Sequence, residues 1–255
     1  MEQRISKLTG FILMSALFLF SQLSYSAEAF GKSEKGINNQ RVIIIFVDMS
    51  GSTNQARRTV YKAAFEKIYQ DLSHGDRVVI GTITSRSFID FKPTLDEEIP
   101  TKSIWVNRIQ FERNLTKTKE KIRKEVNRLL SRRRGTPQTE ILNSLNIADS
   151  IFHDETHRKK ILVVLSDMIQ DSKEYKFDKD NITEPYINMV IQERQKNNLI
   201  PKLTGVKVYV AGASASDSNK FREVQTFWAR YFSKSMADFS PYRYGHFLIN
   251  FEKEL

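Results

Sequence analysis

The stretch of sequence that decides the fold runs from Val42 to Ser52 and reads Val-Ile-Ile-Ile-Phe-Val-Asp-Met-Ser-Gly-Ser. Its apolar, mostly β-branched opening is typical of a parallel strand that is buried on both faces. Asp48, Ser50 and Ser52 then follow at alternate positions, and Gly51 permits a tight turn. Because ligands of open α/β sheets bind beyond the carboxyl ends of the strands, this loop is a candidate site for a hard cation. The simpler alternative is a turn in which a serine caps the following helix.

Short apolar runs alternate with helical patterns along the rest of the chain. Strands are predicted at residues 42–47, 77–84, 161–165, 206–211 and 246–251, and helices at residues 54–72, 115–133, 140–152, 184–197 and 221–232. Residues 87–91 are predicted to pair back as a short antiparallel edge strand, and residues 92–100 to be irregular. This alternation predicts βαβ crossovers. We therefore expect an α/β fold: a single doubly wound, mostly parallel sheet with helices on both faces.

The first residues have the features of an export signal. Arg4 and Lys7 give a positive start, an apolar run follows at residues 8–20, and Ala27-Glu28-Ala29 offers a small-x-small cleavage pattern. We predict a signal peptide at residues 1–29, a linker at 30–40 and the folded domain at 41–255. The expected location is exported, either periplasmic or secreted, in a bacterial envelope. An uncleaved anchor is the alternative, although the apolar run is shorter than the roughly 20 residues that span a bilayer.

Composition excludes several kinds of chemistry. The chain has no cysteine, so thiol catalysis, thiolate metal sites and disulfides are ruled out. Its net charge is +10, and much of the excess lies at residues 117–134, which hold nine Lys or Arg. This segment is either a solvated helix face or a patch for an acidic partner or anionic lipid. Export argues against nucleic acid as a partner.

The loop after the first strand resembles the opening of von Willebrand factor A (vWA) domains, whose metal-ion-dependent adhesion site begins Asp-x-Ser-x-Ser. Two later segments are similar to that family in the same order. Thr139-Glu140-Ile141 resembles its Thr-Asp-Ile helix start, and Val163-Val164-Leu165-Ser166-Asp167 resembles the end of its fourth strand. Met168 departs from the pattern, because the family usually has glycine after the aspartate.

The resemblance implies a set of metal ligands. Asp48, Ser50 and Ser52 would hold one Mg²⁺, or Mn²⁺ or Ca²⁺, and Thr139 and Asp167 would complete the site. Thr136 is the competing candidate for the threonine position. No catalytic residue is expected, and no organic cofactor.

The resemblance also implies a function. In this family the ion keeps an open coordination position that an acidic side chain of a partner completes, so we expect cation-dependent binding of a protein or peptide that offers a carboxylate. The chain is not expected to be an enzyme. The alternatives are a vWA-like scaffold of an envelope complex without functional metal dependence and, with less support, a metal-assisted hydrolase. Membrane contact is expected only if the leader is retained or the basic segment binds anionic lipid.

Overall fold

Six strands form one sheet, and the computed structural model describes residues 40–51, 53–85, 91–102, 107–132 and 135–252. The predicted signal peptide and most of the linker lie outside the described residues. The strands are β1 (Arg41–Asp48), β2 (Arg77–Ile83), β3 (Leu95–Glu98), β4 (Lys159–Leu165), β5 (Val206–Ala211) and β6 (Asp238–Gly245). The helices are α1 (Gln55–Asp71), α2 (Arg108–Leu130), α3 (Ile141–His153), α4 (Glu184–Lys196) and α5 (Ser218–Lys234).

The strand order in the sheet is β3-β2-β1-β4-β5-β6. Every neighbouring pair is parallel except β2 and β3, which are antiparallel. The chain leaves β1 towards one edge of the sheet and later returns to β4, on the other side of β1. The carboxyl ends of β1 and β4 therefore meet where the direction of winding reverses, the place where open α/β sheets bind ligands.

β1 is the central strand, and its side chains alternate between two cores. Ile43, Ile45 and Val47 pack with α1 and α2 on one face of the sheet. The residues between them pack on the other face with α3, α4 and α5. All eight residues of β1 are buried, as its apolar run predicts. Helices thus cover both faces of the sheet, and the doubly wound α/β fold is confirmed.

The position of the antiparallel edge strand was predicted wrongly. The strand is β3, within the segment predicted to be irregular, while residues 87–90 lie outside the described residues and Phe91 is not in a strand. β3 reads Leu-Asp-Glu-Glu, and Leu95 is its buried member. Asp96 accepts hydrogen bonds from Arg77 on β2 at 2.6 and 2.8 Å. This acidic segment can form a strand because it lies at the edge of the sheet. There, ion pairs stabilise it and part of it stays exposed, so it needs little apolar burial.

The last strand was also predicted wrongly. β6 precedes the predicted range of 246–251, and the chain after Gly245 is irregular up to residue 252. Leu248 and Phe251 are buried in the core that α1 and α2 cover. These two residues are therefore apolar because they pack in this core, and not because they belong to a strand. β6 was missed because it contains Pro241 and exposes much of its length at a sheet edge.

The helices follow the predictions with shifted ends. α2 begins at Arg108, earlier than expected, because the Asn107 side chain accepts a hydrogen bond from the N–H of Ile109 and caps the first turn. The aromatic residues of α5 form the predicted inner stripe, and Phe227, Trp228 and Tyr231 are fully buried. Within the described part of the chain, none of the helices has the length and apolar character needed to cross a membrane.

Candidate metal centre

Asp48 is the last residue of β1, and its carboxylate is buried beneath the loop that follows. One carboxylate oxygen accepts the N–H of Ser50 at 2.8 Å, and the other accepts the hydroxyl of Ser166 at 2.8 Å. Burial raises the pKa of Asp48, while the hydrogen bonds from Ser50 and Ser166 oppose the rise. The turn that the sequence predicts after β1 thus folds back on its own aspartate.

Asp167 lies just beyond β4, next to the end of β1 in the sheet. Its Oδ1 accepts the N–H of Ile169 at 2.9 Å, and its Oδ2 lies 2.7 Å from Nη1 of Arg57. Burial, and then the negative charge of Asp48, raise the pKa of Asp167 to about 6, while Arg57 opposes the rise. Two buried carboxylates that disfavour each other's ionised form indicate that the site can accommodate additional positive charge.

The segment before α3 is attached to the β1 loop by backbone hydrogen bonds. The N–H of Gly51 donates to the carbonyl of Thr136 at 2.8 Å, and the N–H of Thr136 donates to the carbonyl of Met49 at 2.9 Å. Gly135 makes this approach possible, since a Cβ there would lie 2.5 Å from the carbonyl carbon and oxygen of Ser50. Glycine is therefore required at 135 for the two loops to meet.

Both candidate threonines lie at the wall of the same cavity. The hydroxyl of Thr136 donates to the carbonyl of Gln138 at 2.9 Å. Thr139 is buried, and its backbone pairs in both directions with Asp171, at 2.8 and 3.0 Å. This pairing ties the Thr139 segment to the loop after β4, so Thr139 joins the segments that carry the two aspartates.

The three loops and a fourth, at residues 214–216, enclose a cavity of about 610 Å³. Ser50, Thr139 and Asp167 line it, and Asp48 is buried close to Ser50. The remaining charged residues that line it are Arg57, Asp171, Lys176, Asp178 and Lys179. The cavity is thus an open, mixed-charge cleft lined in part by hydroxyl and carboxylate oxygens.

The structure brings four of the five residues predicted as ligands to this one region: Asp48, Ser50, Thr139 and Asp167. Ser52 lies outside the described residues. Two residues that we did not predict from the sequence also contact the aspartates: Ser166 contacts Asp48, and Arg57 contacts Asp167. The sequence does contain one indication for Arg57. The helix dipole destabilises a cation in the first turn of a helix, so an arginine there indicates a stabilising partner.

The donor set fits a hard divalent cation. Carboxylate and hydroxyl oxygens are the ligands that Mg²⁺, Mn²⁺ and Ca²⁺ prefer. The Tyr61 hydroxyl is buried near the site, and burial and then the charges of Asp48 and Asp167 raise its pKa. No group of three or more His, Cys, Asp or Glu side chains gathers around a possible ion in the described ranges.

Sheet order, loop positions and the two aspartates together define a vWA-like α/β domain. Among solved structures, the chain is similar to a von Willebrand factor type A protein from Catenulispora acidiphila, with 14% identity over 78% of this chain and 42% of that chain and a TM-score of 0.37. It is also similar to a manganese-loaded TRAP protein from Plasmodium vivax, with 12% identity over 78% of this chain and 74% of that chain and a TM-score of 0.39. A third similar structure is the PilB minor pilin from Streptococcus sanguinis, with 14% identity over 78% of this chain and 56% of that chain and a TM-score of 0.46.

The chain spans less than half of the Catenulispora protein and just over half of the pilin. The strand order of this chain itself defines its fold. No protein-family model matches the sequence, and no curated protein matches it.

Proposed function

We propose that this chain is an exported protein-binding module that holds its partner through a divalent cation. The observation that carries the proposal is that Asp48 and Asp167 lie at the ends of two neighbouring strands, where the direction of winding reverses, beside an open cleft. The partner is proposed to be a protein or peptide with an exposed carboxylate. No catalytic role is proposed for the site.

The ion would be held by Asp48, Ser50, Thr139 and Asp167, and by Ser52 on the strength of the sequence motif. When bound, the cation supplies a positively charged position that an anionic oxygen of the partner can complete. The chain's own residues set that position: the Ser166 hydroxyl orients Asp48, and the Ile169 N–H orients Asp167. Lys179 at the wall of the cleft would add attraction for an acidic partner, whereas Lys176 is paired with Asp171 at 3.0 Å.

A second candidate function is favoured by one observation. Arg57 already compensates Asp167, so the domain could act as a scaffold in an envelope complex without a functional ion. The two candidates differ in one measurable respect, the dependence of stability and partner binding on divalent cations.

The test is a cation titration of the full chain, beside Asp48→Asn and a control, Asp154→Asn. Asn at 48 retains the shape of the side chain and can still accept the Ser50 N–H, whereas Asp154 is exposed at the end of α3, in a different cavity. Thermal unfolding is followed in chelator and in graded Mg²⁺, Mn²⁺ and Ca²⁺. An ion at about 100 times its Kd should add roughly 2.7 kcal/mol, which raises the melting temperature by about 5–10 °C.

The partner class is tested with the same proteins. Displayed random peptides are selected on the wild type in Mg²⁺ and released with chelator. We expect the released peptides to share an Asp or Glu, whose replacement by Asn or Gln abolishes binding, and we expect Asp48→Asn to retain none of them. A melting temperature that no cation changes would refute the proposal in favour of the scaffold. So would peptides that bind equally well in chelator.

A further inference from the structure

Arg57 is a cation that the chain itself contributes to the site. It projects from the first turn of α1, and its Nη1 lies 2.7 Å from Oδ2 of Asp167. Its side chain is only 22% exposed and that of Asp167 only 6%, so this ion pair is largely removed from water. The other nitrogen, Nη2, lies 3.3 Å from the hydroxyl of Ser214. The guanidinium therefore connects two segments that line the cleft, the loop after β4 and the loop at Ser214.

The charge of Arg57 acts on both aspartates of the site. It lowers the pKa of Asp167 and the pKa of Asp48, in each case against the larger effect of burial. A divalent cation bound by these carboxylates would likewise favour their ionised forms. Two buried carboxylates and one guanidinium leave a net charge of about −1, whereas the carboxylates alone would present about −2 to an incoming ion.

The contacts of Asp167 show where the conflict lies. Oδ1 is engaged by the Ile169 N–H and Oδ2 by Arg57, so a cation that approaches this carboxylate meets the guanidinium on one side. Like charges that lie close together repel strongly in a partly buried site. Arg57 also lines the open cleft, so its long side chain has space into which it can withdraw.

We infer that Arg57 is a resident competitor of the divalent cation: it stabilises the metal-free site through Asp167, and the ion binds by displacing it. This inference rests on the proposed function, since it concerns the affinity of the same site for metal. It predicts a site tuned to low affinity, in which Arg57 occupies Asp167 until the concentration of the ion is high.

The test compares Mn²⁺ binding by the full chain with binding by Arg57→Gln, using the spectroscopic signal of free Mn²⁺. Arg58→Gln is the matched control, because Arg58 lies on the same turn and donates to the carbonyl of Leu130, away from both aspartates. We expect Arg57→Gln to lower the Kd by about tenfold or more, since one opposing charge is removed. We expect Arg58→Gln to change the Kd by less than about twofold.

The stability of the metal-free proteins gives a second readout. In chelator, Arg57→Gln should melt below the wild type, because it leaves two buried carboxylates without their cation. If Arg57→Gln does not fold in chelator, Arg57→Lys serves instead. Its shorter, point-like ammonium retains charge but not the two-sided contact, and it should bind Mn²⁺ more tightly than the wild type.

The outcomes separate the two proposals. If the wild type binds Mn²⁺ and neither Arg57 variant binds it more tightly, Arg57 is no competitor, while the cation-dependent function is unaffected. If only the Arg57 variants bind, competition is supported and the native chain is a metal-free scaffold. If none of these proteins binds Mn²⁺, both proposals are refuted.

Discussion

Met168, directly after Asp167, has a backbone conformation that usually belongs to glycine. Its φ is +67°, and vWA domains, which the sequence resembles, usually place glycine there. A left-handed conformation costs a residue with a side chain roughly 1–2 kcal/mol. Here the side chain is fully buried, the carbonyl accepts the indole N–H of Trp228 at 2.8 Å and the N–H donates to Ser166 at 3.0 Å. Burial and two hydrogen bonds thus offset the strain that positions Asp167.

The raised pKa of Asp167 predicts coupling between protons and metal. Its value of about 6 means that Asp167 in the metal-free protein is partly protonated at pH 6 and ionised at pH 8. Because a cation binds the ionised form, binding should release more protons at pH 6 than at pH 8. The measurement is calorimetric titration with Mg²⁺ in buffers of different ionisation enthalpy. Equal proton release at both values, or none at pH 6, would contradict the assigned ligand.

At this scale the sequence predicts the two aspartates well and Arg57 not at all. Asp48 and Asp167 directly follow apolar strands, and that position alone places them at the carboxyl edge of the sheet. Arg57 lies in a helix whose pattern indicates only which face is buried. Its role depends on contacts between a long, flexible side chain and loops that are distant in the sequence. No local periodicity predicts such contacts.

Among the secondary-structure elements, one buried ion pair joins the start of β1 to the start of β2. Asp76 is fully buried and accepts hydrogen bonds from the backbone and guanidinium of Arg41 and from the N–H of Ser73. Arg41 also pairs with Asp71 at the end of α1. The pair therefore fixes the return of the chain from α1 to the sheet, on the side opposite the candidate metal centre.

Asp76→Asn should destabilise the domain strongly, because it leaves the Arg41 charge buried without its main partner. Breaking such a pair costs about 3–5 kcal/mol, or roughly 6–20 °C in melting temperature. Asp71→Asn is the matched control: its side chain is 30% exposed, and it should cost less than about 1 kcal/mol. Thermal unfolding in chelator measures both. Equal losses in the two variants would show that the depth of burial does not set the cost.

The strand errors have a common physical cause at this scale. β1 and β4 are buried on both faces, and an apolar run predicts such strands reliably. β3 and β6 lie at the edges of the sheet, and neither has the continuous apolar run of a core strand: β3 is mostly acidic, and β6 mixes aromatic, charged and small residues with a proline. The core strands could therefore be predicted from composition, whereas the edge strands depend on pairing that only the folded sheet provides.

In the whole molecule, a single sheet separates two cores, and β1 contributes to both. Energy gained at its carboxyl end should therefore stabilise the entire domain. We expect amides of β1 and β4 to exchange only through global unfolding, and Mg²⁺ at about 100 times its Kd to slow them about 100-fold. Hydrogen exchange with and without Mg²⁺, beside Asp48→Asn, measures this. Protection confined to the loops at residues 48–51 and 166–169 would instead show that binding is local.

In the whole molecule, part of the positive charge that the sequence concentrates in one segment is paired with acidic side chains. In the basic segment at residues 117–134, several side chains are paired within the domain. Lys121 pairs with Glu97, Arg123 pairs with Glu66, and Arg128 pairs with Glu125. Exposed pairs of this kind add less than about 1 kcal/mol each. They do reduce the positive field of α2, which favours the solvated-face interpretation for these three residues.

The edges of the sheet have a consequence for assembly. β3 is four residues long and mostly acidic, and β6 carries Pro241, a residue without a backbone donor, and an irregular register with β5. Short, charged or proline-bearing edges are poor templates for adding another strand. We therefore expect neither edge to add a strand from another copy of this domain. A partner of the kind proposed above would contact side chains in the cleft and would not extend the sheet.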